Sequence, residues 1–316
     1  MLRELIPTFK GEIDYHPDYT FTVFTPLFNR QDTIERVYDS LEAQTFRDFE
    51  WVIINDGSTD NSNEKVLELI DRASFDVQYR NNTVNQHKMA CFIEAIALAK
   101  GEFILILDSD DECLPKALEI LKNSYEDLPE NIKPKCSGVT GLDINSKGEV
   151  VGDTYQSSPF YSDTFDSSYI HNIRGDKWGF TKSSILKGID FNSDLFGKGL
   201  IPEGLIWNLI AESGYLTAYI NENLLMSHTD SDDRLSIPDH SKNALGAAIF
   251  SIAIINWFWK KYLSARPMIF AKRLYALLRS SNFLEYSKAE YSAAIDNGFI
   301  RLVFNILWPL RGLFKK

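Results

Sequence analysis

In Phe103-Ile104-Leu105-Ile106-Leu107-Asp108-Ser109-Asp110-Asp111-Glu112, five consecutive apolar residues run straight into a group of four carboxylates. A short strand with no polar position is buried on both faces, as in a parallel sheet covered by helices. The chain upstream repeats the pattern. Phe21–Thr25, Trp51–Ile54 and Val77–Arg80 read as strands, separated by helical stretches from Asp32/Thr33 to about Ala43, from Asn63 to Arg72 and from Lys88 to Lys100. Alternation of this kind is the signature of βαβ units and a mostly parallel α/β sheet. Downstream, Pro115 stands where a first helical residue would, opening a helix to about Tyr125.

The periodicity weakens between Lys135 and Tyr169, where short runs alternate with Ser/Asp/Gly-rich loops. It returns at Trp178–Leu186 and in a helical stretch at Pro202–Glu212, and from Ser241 onward the chain reads as helices. Ala244–Trp259 is apolar, but at sixteen residues with Ser251 and Asn256 inside it falls short of the roughly 20 that a span requires. A buried or interfacial helix is expected. The organisation expected is residues 1–240 as one α/β domain, with 1–19 as an extension, followed by a helical region at 241–316.

Composition narrows the function. The 316 residues carry 33 Lys+Arg against 44 Asp+Glu, a net charge of −11, which argues against a nucleic-acid binder. Hydrophobic residues at 44% are ample for a packed core. Three cysteines without C-x-x-C spacing fit neither a disulfide framework nor a structural zinc site. With acids and prolines in the first nineteen residues instead of an apolar signal, a cytoplasmic location is expected. Charge is unevenly spread: residues 260–316 hold eleven Lys/Arg and three acids, a surplus of eight, against nineteen net negative charges elsewhere. Phe299 to Lys316 mixes aromatic and aliphatic residues with four cations and no acid, which suits a peripheral membrane helix as well as a docked terminal helix with solvated cations.

Ligands of open parallel sheets bind beyond the carboxyl ends of the strands, where Asp108, Asp110, Asp111 and Glu112 fall. Carboxylates this close repel, and a hard cation such as Mg²⁺ or Mn²⁺ with phosphate oxygens would relieve the cost. Acids favoured by the dipole of the following helix are the competing explanation. An EF-hand is excluded, since Cys113 stands where its glycine is needed. Asn55-Asp56-Gly57-Ser58-Thr59-Asp60 ends another strand and by itself reads as an Asx-type turn. No G-x-G-x-x-G or G-x-x-x-x-G-K-[ST] is present, so phosphates would be held through a metal rather than a Gly-rich loop.

These stretches, with Thr25-Pro26-Leu27-Phe28-Asn29-Arg30 before them and Ala99-Lys100-Gly101-Glu102-Phe103 between, resemble the family 2 glycosyltransferases of GT-A fold in order and spacing, over roughly residues 20–230. The resemblance implies a Rossmann-like fold, a nucleotide-diphosphosugar donor (a UDP-sugar first), a divalent Mn²⁺ or Mg²⁺, and transfer with inversion. It places Thr25, Pro26 and Arg30 around the nucleobase with Asp56 in contact. Asp108 and Ser109 fall on the nucleotide, and Asp110 on the metal. Lys88 matches a basic position near the donor, although the Asn expected five residues on is Ile93. The family's catalytic base is usually the Asp of a Glu-Asp pair before an aromatic residue. Here the stretch is Pro202-Glu203-Gly204-Leu205-Ile206-Trp207, which gives the role to Glu203 and replaces the first acid by proline.

His228 is a second metal candidate by likeness to some relatives, although a lone His is more often structural. Lys177 and Trp178 resemble an acceptor-side segment, the Trp suited to stack on a sugar. The reading favoured is a metal-dependent inverting transferase acting at the inner membrane face on a lipid-linked glycan. The alternatives are a nucleotide-sugar-binding module without turnover, for which Pro202 and Ile93 speak, and a sugar nucleotidyltransferase, against which the lack of a Gly-rich first loop speaks.

Overall fold

The computed structural model describes residues 2–228 and 240–314. In chain order the strands are β1 (Thr8–Phe9), β2 (Tyr19–Leu27), β3 (Phe49–Asp56), β4 (Asp76–Asn82), β5 (Gly101–Ile106), β6 (Glu112–Cys113), β7 (Cys136–Asn145), β8 (Phe160–Ser162), β9 (Lys177–Lys182), β10 (Ile189–Asp190) and β11 (Leu216–Ser227). The helices are α1 (Ile34–Glu42), α2 (Ser62–Arg72), α3 (His87–Leu98), α4 (Ala117–Glu126), α5 (Ser183–Leu186), α6 (Gly204–Glu212), α7 (Ala244–Tyr262), α8 (Pro267–Ser280), α9 (Lys288–Ala294) and α10 (Gly298–Leu307).

One sheet carries the molecule, in the order β4-β3-β2-β5-β9-β7-β11-β6, with β8 added on β11. The βαβ half behaves as its sequence demands: β4, β3, β2 and β5 pair parallel. Every residue of β3 is buried, and Phe103, Ile104 and Leu105 of β5 are at most 3% exposed. Beyond β5 the direction changes. β9 is antiparallel to both β5 and β7, while β11 is parallel to β7 and antiparallel to β6 and β8. The expectation of a mostly parallel sheet therefore holds for residues 19–106 and gives way to mixed pairing after them. Between β7 and β9 the chain passes through β8 and the short helical turn Asp166–Ile170 and comes back antiparallel.

Two glycines fix where β2, β5 and the loops above them sit. A Cβ on Gly101 would lie 2.3 Å from the Thr22 nitrogen, so the start of β5 can approach β2 only without a side chain. Gly57, at φ +74°, turns the chain out of β3 with Val84 and Asn85 directly against it. Between these strands the buried Glu50 carboxylate accepts from the Thr22 hydroxyl at 2.6 Å, the Lys100 amide at 2.6 Å and the Gln78 side chain at 2.7 Å, which satisfies a charge that would otherwise be costly inside.

Pro115 does not open α4. Ala117 N–H bonds the Leu114 carbonyl at 2.8 Å, so Pro115 and Lys116 form a turn ahead of the helix. The helices after residue 240 are as the sequence suggested, and α7 extends to nineteen residues. Among the described residues no helix is long and apolar enough to cross a membrane. α7 instead joins α3 and α6 in one hydrophobic cluster on one face of the sheet, with Ile249, Ile252, Ile254 and Ile255 fully buried.

Candidate active site

The loop after β3 and the start of α3 form the floor of the site. Both Asp56 carboxylate oxygens accept backbone N–H groups, from Gln86 and from His87, each at 2.8 Å. His87 sits at φ +69°, a strained conformation for a side-chain-bearing residue, held there by these bonds. Burial pushes the Asp56 carboxyl above the usual Asp value, against the lowering effect of the two amides. The consequence is that Lys88, in the first turn of α3, is aimed at the carboxyl end of β5.

Lys88 Nζ lies 2.6 Å from Asp108 Oδ1 and 2.7 Å from Glu203 Oε1. Three separate elements meet there: α3, the chain leaving β5, and the N-terminus of α6. Glu203 is the N-cap of α6 by its backbone, whose carbonyl accepts from the Ile206 amide at 2.8 Å. Its side chain makes no capping bond and reaches Lys88 instead. The competing explanation, an acid that only caps its helix, therefore does not describe this side chain. Burial pulls the Lys88 ammonium down, but the two carboxylates outweigh it and hold its pKa above the usual Lys value, so the group stays cationic. Asp108 Oδ1 is buried, and the Lys88 ammonium is what compensates it.

The carboxylate run beyond Asp108 fans out. Asp110 Oδ2 is 3.7 Å from Arg30 Nε, and the Asp110 carbonyl accepts from Arg36 at 2.7 Å. Glu112 faces His228 Nε2 at 2.8 Å and Arg36 Nε at 3.6 Å. Asp111 accepts the His228 amide at 3.1 Å, and burial first, then the charges of Asp108, Asp110 and Asp143, push its carboxyl up to about 7. Among the described residues no three acidic, His or Cys side chains converge on one point, so the protein alone does not complete a metal shell. The donor chemistry nonetheless fits a hard cation: carboxylate oxygens at a strand end, one of them with a pKa raised partly by its neighbours' negative charge. Diphosphate and water would have to supply the remaining ligands.

A cavity of about 650 Å³ opens beside this centre, and Lys88, Asp108, Glu203, Lys177 and Trp178 all line it. Trp178 is 6% exposed and its indole N–H donates to the Ile106 carbonyl at 2.5 Å, which fixes the ring in the cavity wall. Lys177 donates to the Val151 and Arg174 carbonyls at 3.1 and 3.3 Å, and burial holds its pKa below the usual Lys value. Asp111 of the carboxylate cluster lines it too, and the other sequence candidates lie off this lining. Thr25 is buried under Trp51, whose indole N–H donates to its hydroxyl at 2.9 Å. Pro26 lies beside it in β2, and the Ser109 carbonyl accepts from Thr33 at 2.8 Å. Thr25, Pro26, Arg30 and Asp56 thus gather at the ends of β2 and β3, with Asp110 reaching them through Arg30.

Three lining residues escaped the sequence reading. Asp143, 1% exposed on β7, accepts the Ser227 amide at 3.1 Å, and burial raises its pKa. Tyr155 Oη and Asn208 Oδ1 are buried without a partner. Asn208 follows Glu203 by five residues on α6, a spacing that could have been noticed; Asp143 and Tyr155 fall in the stretch where periodicity fails.

Comparison with known proteins bears on the fold and the family. Residues 22–136 match the family model of Glycosyl transferase family 2. The chain is 25% identical over 229 residues to the GalNAc(5)-diNAcBac-PP-undecaprenol beta-1,3-glucosyltransferase of Campylobacter jejuni, covering 71% of this chain and 69% of that one. It is 31% identical over 183 residues to the hyaluronan synthase of Pasteurella multocida, 54% of this chain but only 17% of the synthase. In fold it is similar to residues 1–349 of S. aureus TarS, crystallised with UDP-GlcNAc, at a TM-score of 0.59 and 15% identity, covering 92% of this chain and 87% of that one. The protein is a glycosyltransferase with an α/β fold of GT-A type. Its likeness to glycosyltransferase family 2 covers residues 22–136.

Proposed function

We propose that this glycosyltransferase moves a sugar, with inversion, from a UDP-sugar to a hydroxyl of a lipid-linked glycan at the inner membrane face, with Glu203 as the general base. The observation that carries the proposal is the Lys88 bridge. A buried ammonium 2.6 and 2.7 Å from Asp108 and Glu203 holds a carboxylate from α6 in the cavity beside the strand end. An inverting transfer needs one carboxylate to take the acceptor proton while the diphosphate leaves from the opposite face of the sugar.

Thr25, Pro26, Arg30 and Asp56 are assigned to the nucleobase pocket, Asp108, Ser109 and Lys88 to the rest of the nucleotide, and Lys177 and Trp178 to the acceptor side. Asp110, with His228, would hold Mn²⁺ or Mg²⁺, which when bound would offset the negative charge developing on the diphosphate. The UDP donor is supported by the TarS structures with UDP-GlcNAc and with UDP. The lipid-linked acceptor is supported by relatives named as acting on undecaprenol-linked diphosphate glycans.

The test is nucleoside diphosphate release from a panel of nucleotide sugars with Mn²⁺ or Mg²⁺, with and without lipid extract. E203Q is expected to bind donor as the native protein does and to lose transfer by about 100-fold or more. D110A is expected to lose the metal-dependent part of donor affinity. Full transfer by E203Q removes the base assignment, and donor binding without turnover in the native protein would favour a binding module.

A further inference from the structure

We propose that the outer face of α10 and of the 3-10 helix Trp308–Phe314 is a membrane-docking surface for anionic lipid. Phe299, Leu302, Ile306, Leu310 and Leu313 are 66, 58, 63, 48 and 77% exposed. Phe299, Leu302 and Ile306, three and four residues apart, share one side of α10, and Leu310 and Leu313, three apart, share one side of the 3-10 helix that continues it. A protein surface seldom gathers large apolar groups in this way without covering them.

The helix beneath the face is fixed. Ile300 and Phe304 are buried, Phe304 packs on Tyr291 and Trp308, and the Asn297 side chain caps the first turn by accepting from the Ile300 amide at 2.9 Å. The apolar face is thus the second side of a helix whose first side is already occupied. It does not await a rearrangement of the core.

Charge selects the occupant. Residues 298–314 contain Arg301 and Arg311 and no acid, and Lys315 and Lys316 follow in the sequence. The acids just before the helix are engaged elsewhere: Glu290 closes a capping box with Ser287, and Asp296 pairs with Arg3. Arg311 stacks on Trp308 at 4.3 Å, at the edge of the apolar face. In a chain with a net charge of −11, a basic apolar face suits the headgroup boundary of an anionic leaflet, where apolar side chains enter and cations meet lipid phosphates. A second copy meeting this face with its own would set basic against basic.

This inference deepens the proposed membrane-bound acceptor, but it is read without turnover, so either can fail alone. The experiment is flotation of the full chain with vesicles of phosphatidylcholine alone or with about one-third phosphatidylglycerol. Native protein is expected to float with the anionic vesicles, the double variant L302E/I306E to bind roughly tenfold less, and R301Q/R311Q to lose the preference for anionic lipid. Leu302 and Ile306 are exposed, so an unchanged melting temperature and unchanged donor binding are expected of L302E/I306E; Arg301 also donates to the Ile295 and Asp296 carbonyls, so R301Q/R311Q is compared with native protein at equal folded fraction. Native protein that ignores both vesicles, or L302E/I306E that floats like native, overturns the proposal. So does a native dimer in gel filtration that L302E/I306E dissociates while vesicle binding is unaffected, since a second copy would then cover the face.

Discussion

Lys88 holds together groups that would otherwise repel. With its ammonium removed, Asp108 and Glu203 face each other without a counter-charge, and Asp108 Oδ1 has no hydrogen bond to fall back on. K88M is expected to lower transfer by about 100-fold and unfolding stability by about 1–2 kcal/mol, less than for a fully buried pair because the two carboxylates are 42 and 29% exposed. K88R should recover stability better than rate, since a planar guanidinium can pair both carboxylates but not from the same point. Initial rates and urea melts of the two variants check this, and full activity in K88M would remove Lys88 from the site. At this scale the sequence was readable where a residue type carries its chemistry openly: Glu203, Asp108 and Lys88 were each singled out. It did not show that the three meet, because residues 88, 108 and 203 are joined only by the sheet. Nor did it show that Asp56 spends both oxygens on the backbone of Gln86 and His87.

Among the elements, the loops above β2 and β3 form one hydrogen-bonded unit, and Asp60 is its hinge pin. Its carboxylate accepts the Gln31 amide at 3.2 Å and the Ser62 amide at 3.0 Å, while Asn29, at φ +52°, accepts the Thr59 amide at 2.8 Å. Burial raises the Asp60 pKa, but the Ser62 and Gln31 bonds outweigh it and hold the carboxyl below the ordinary Asp value of 3.8. A carboxyl with a lowered folded pKa stabilises the fold fully above the unfolded value, and that contribution is lost as pH falls through the folded one. D60A is therefore expected to cost about 1 kcal/mol near neutrality, as for a lost cap, and progressively less as acid titrates the native carboxylate below pH 3.8. Thermal melts of both proteins across the acid range check the sign, and a gap that widens in acid would contradict it. The same scale explains which elements were legible. β3 and β5 announce themselves by unbroken apolar runs, and β2 by Phe21, Val23 and Phe24 between threonines. β7 hides a ten-residue strand behind Ser137, Gly138, Gly141 and Asp143, residues that read as loop. The glycines are there for contact: a Cβ on Gly138 would stand 1.8 Å from the Phe180 carbonyl oxygen, so β7 and β9 could not close.

Over the whole molecule, the sequence suggested a seam near residue 240, where acidic body gives way to basic helices. The hydrophobic packing crosses that line. α7 is apolar around its circumference, as a helix covered on all sides must be, and it shares a cluster with α3 and α6, the helices that carry Lys88 and Glu203. Phe258 stacks on Phe165 at 3.9 Å between ring centroids, and the Tyr262 hydroxyl donates to Asp166. The basic region thus has two roles at two depths: α7 completes the core behind the site, while α10 presents its outer side. Substitutions at the two depths should separate. F258A is expected to cost about 3 kcal/mol and several degrees of melting temperature, because the neighbouring rings cannot fill the space it leaves. It should also reduce donor turnover through α6, whereas L302E/I306E should leave both melting and donor binding unchanged. A fragment ending at residue 240 is expected to expose the face that α7 covers and to aggregate. If that fragment instead folds with native near-ultraviolet dichroism and binds donor, α7 is an appendage and its apolar surface needs another explanation.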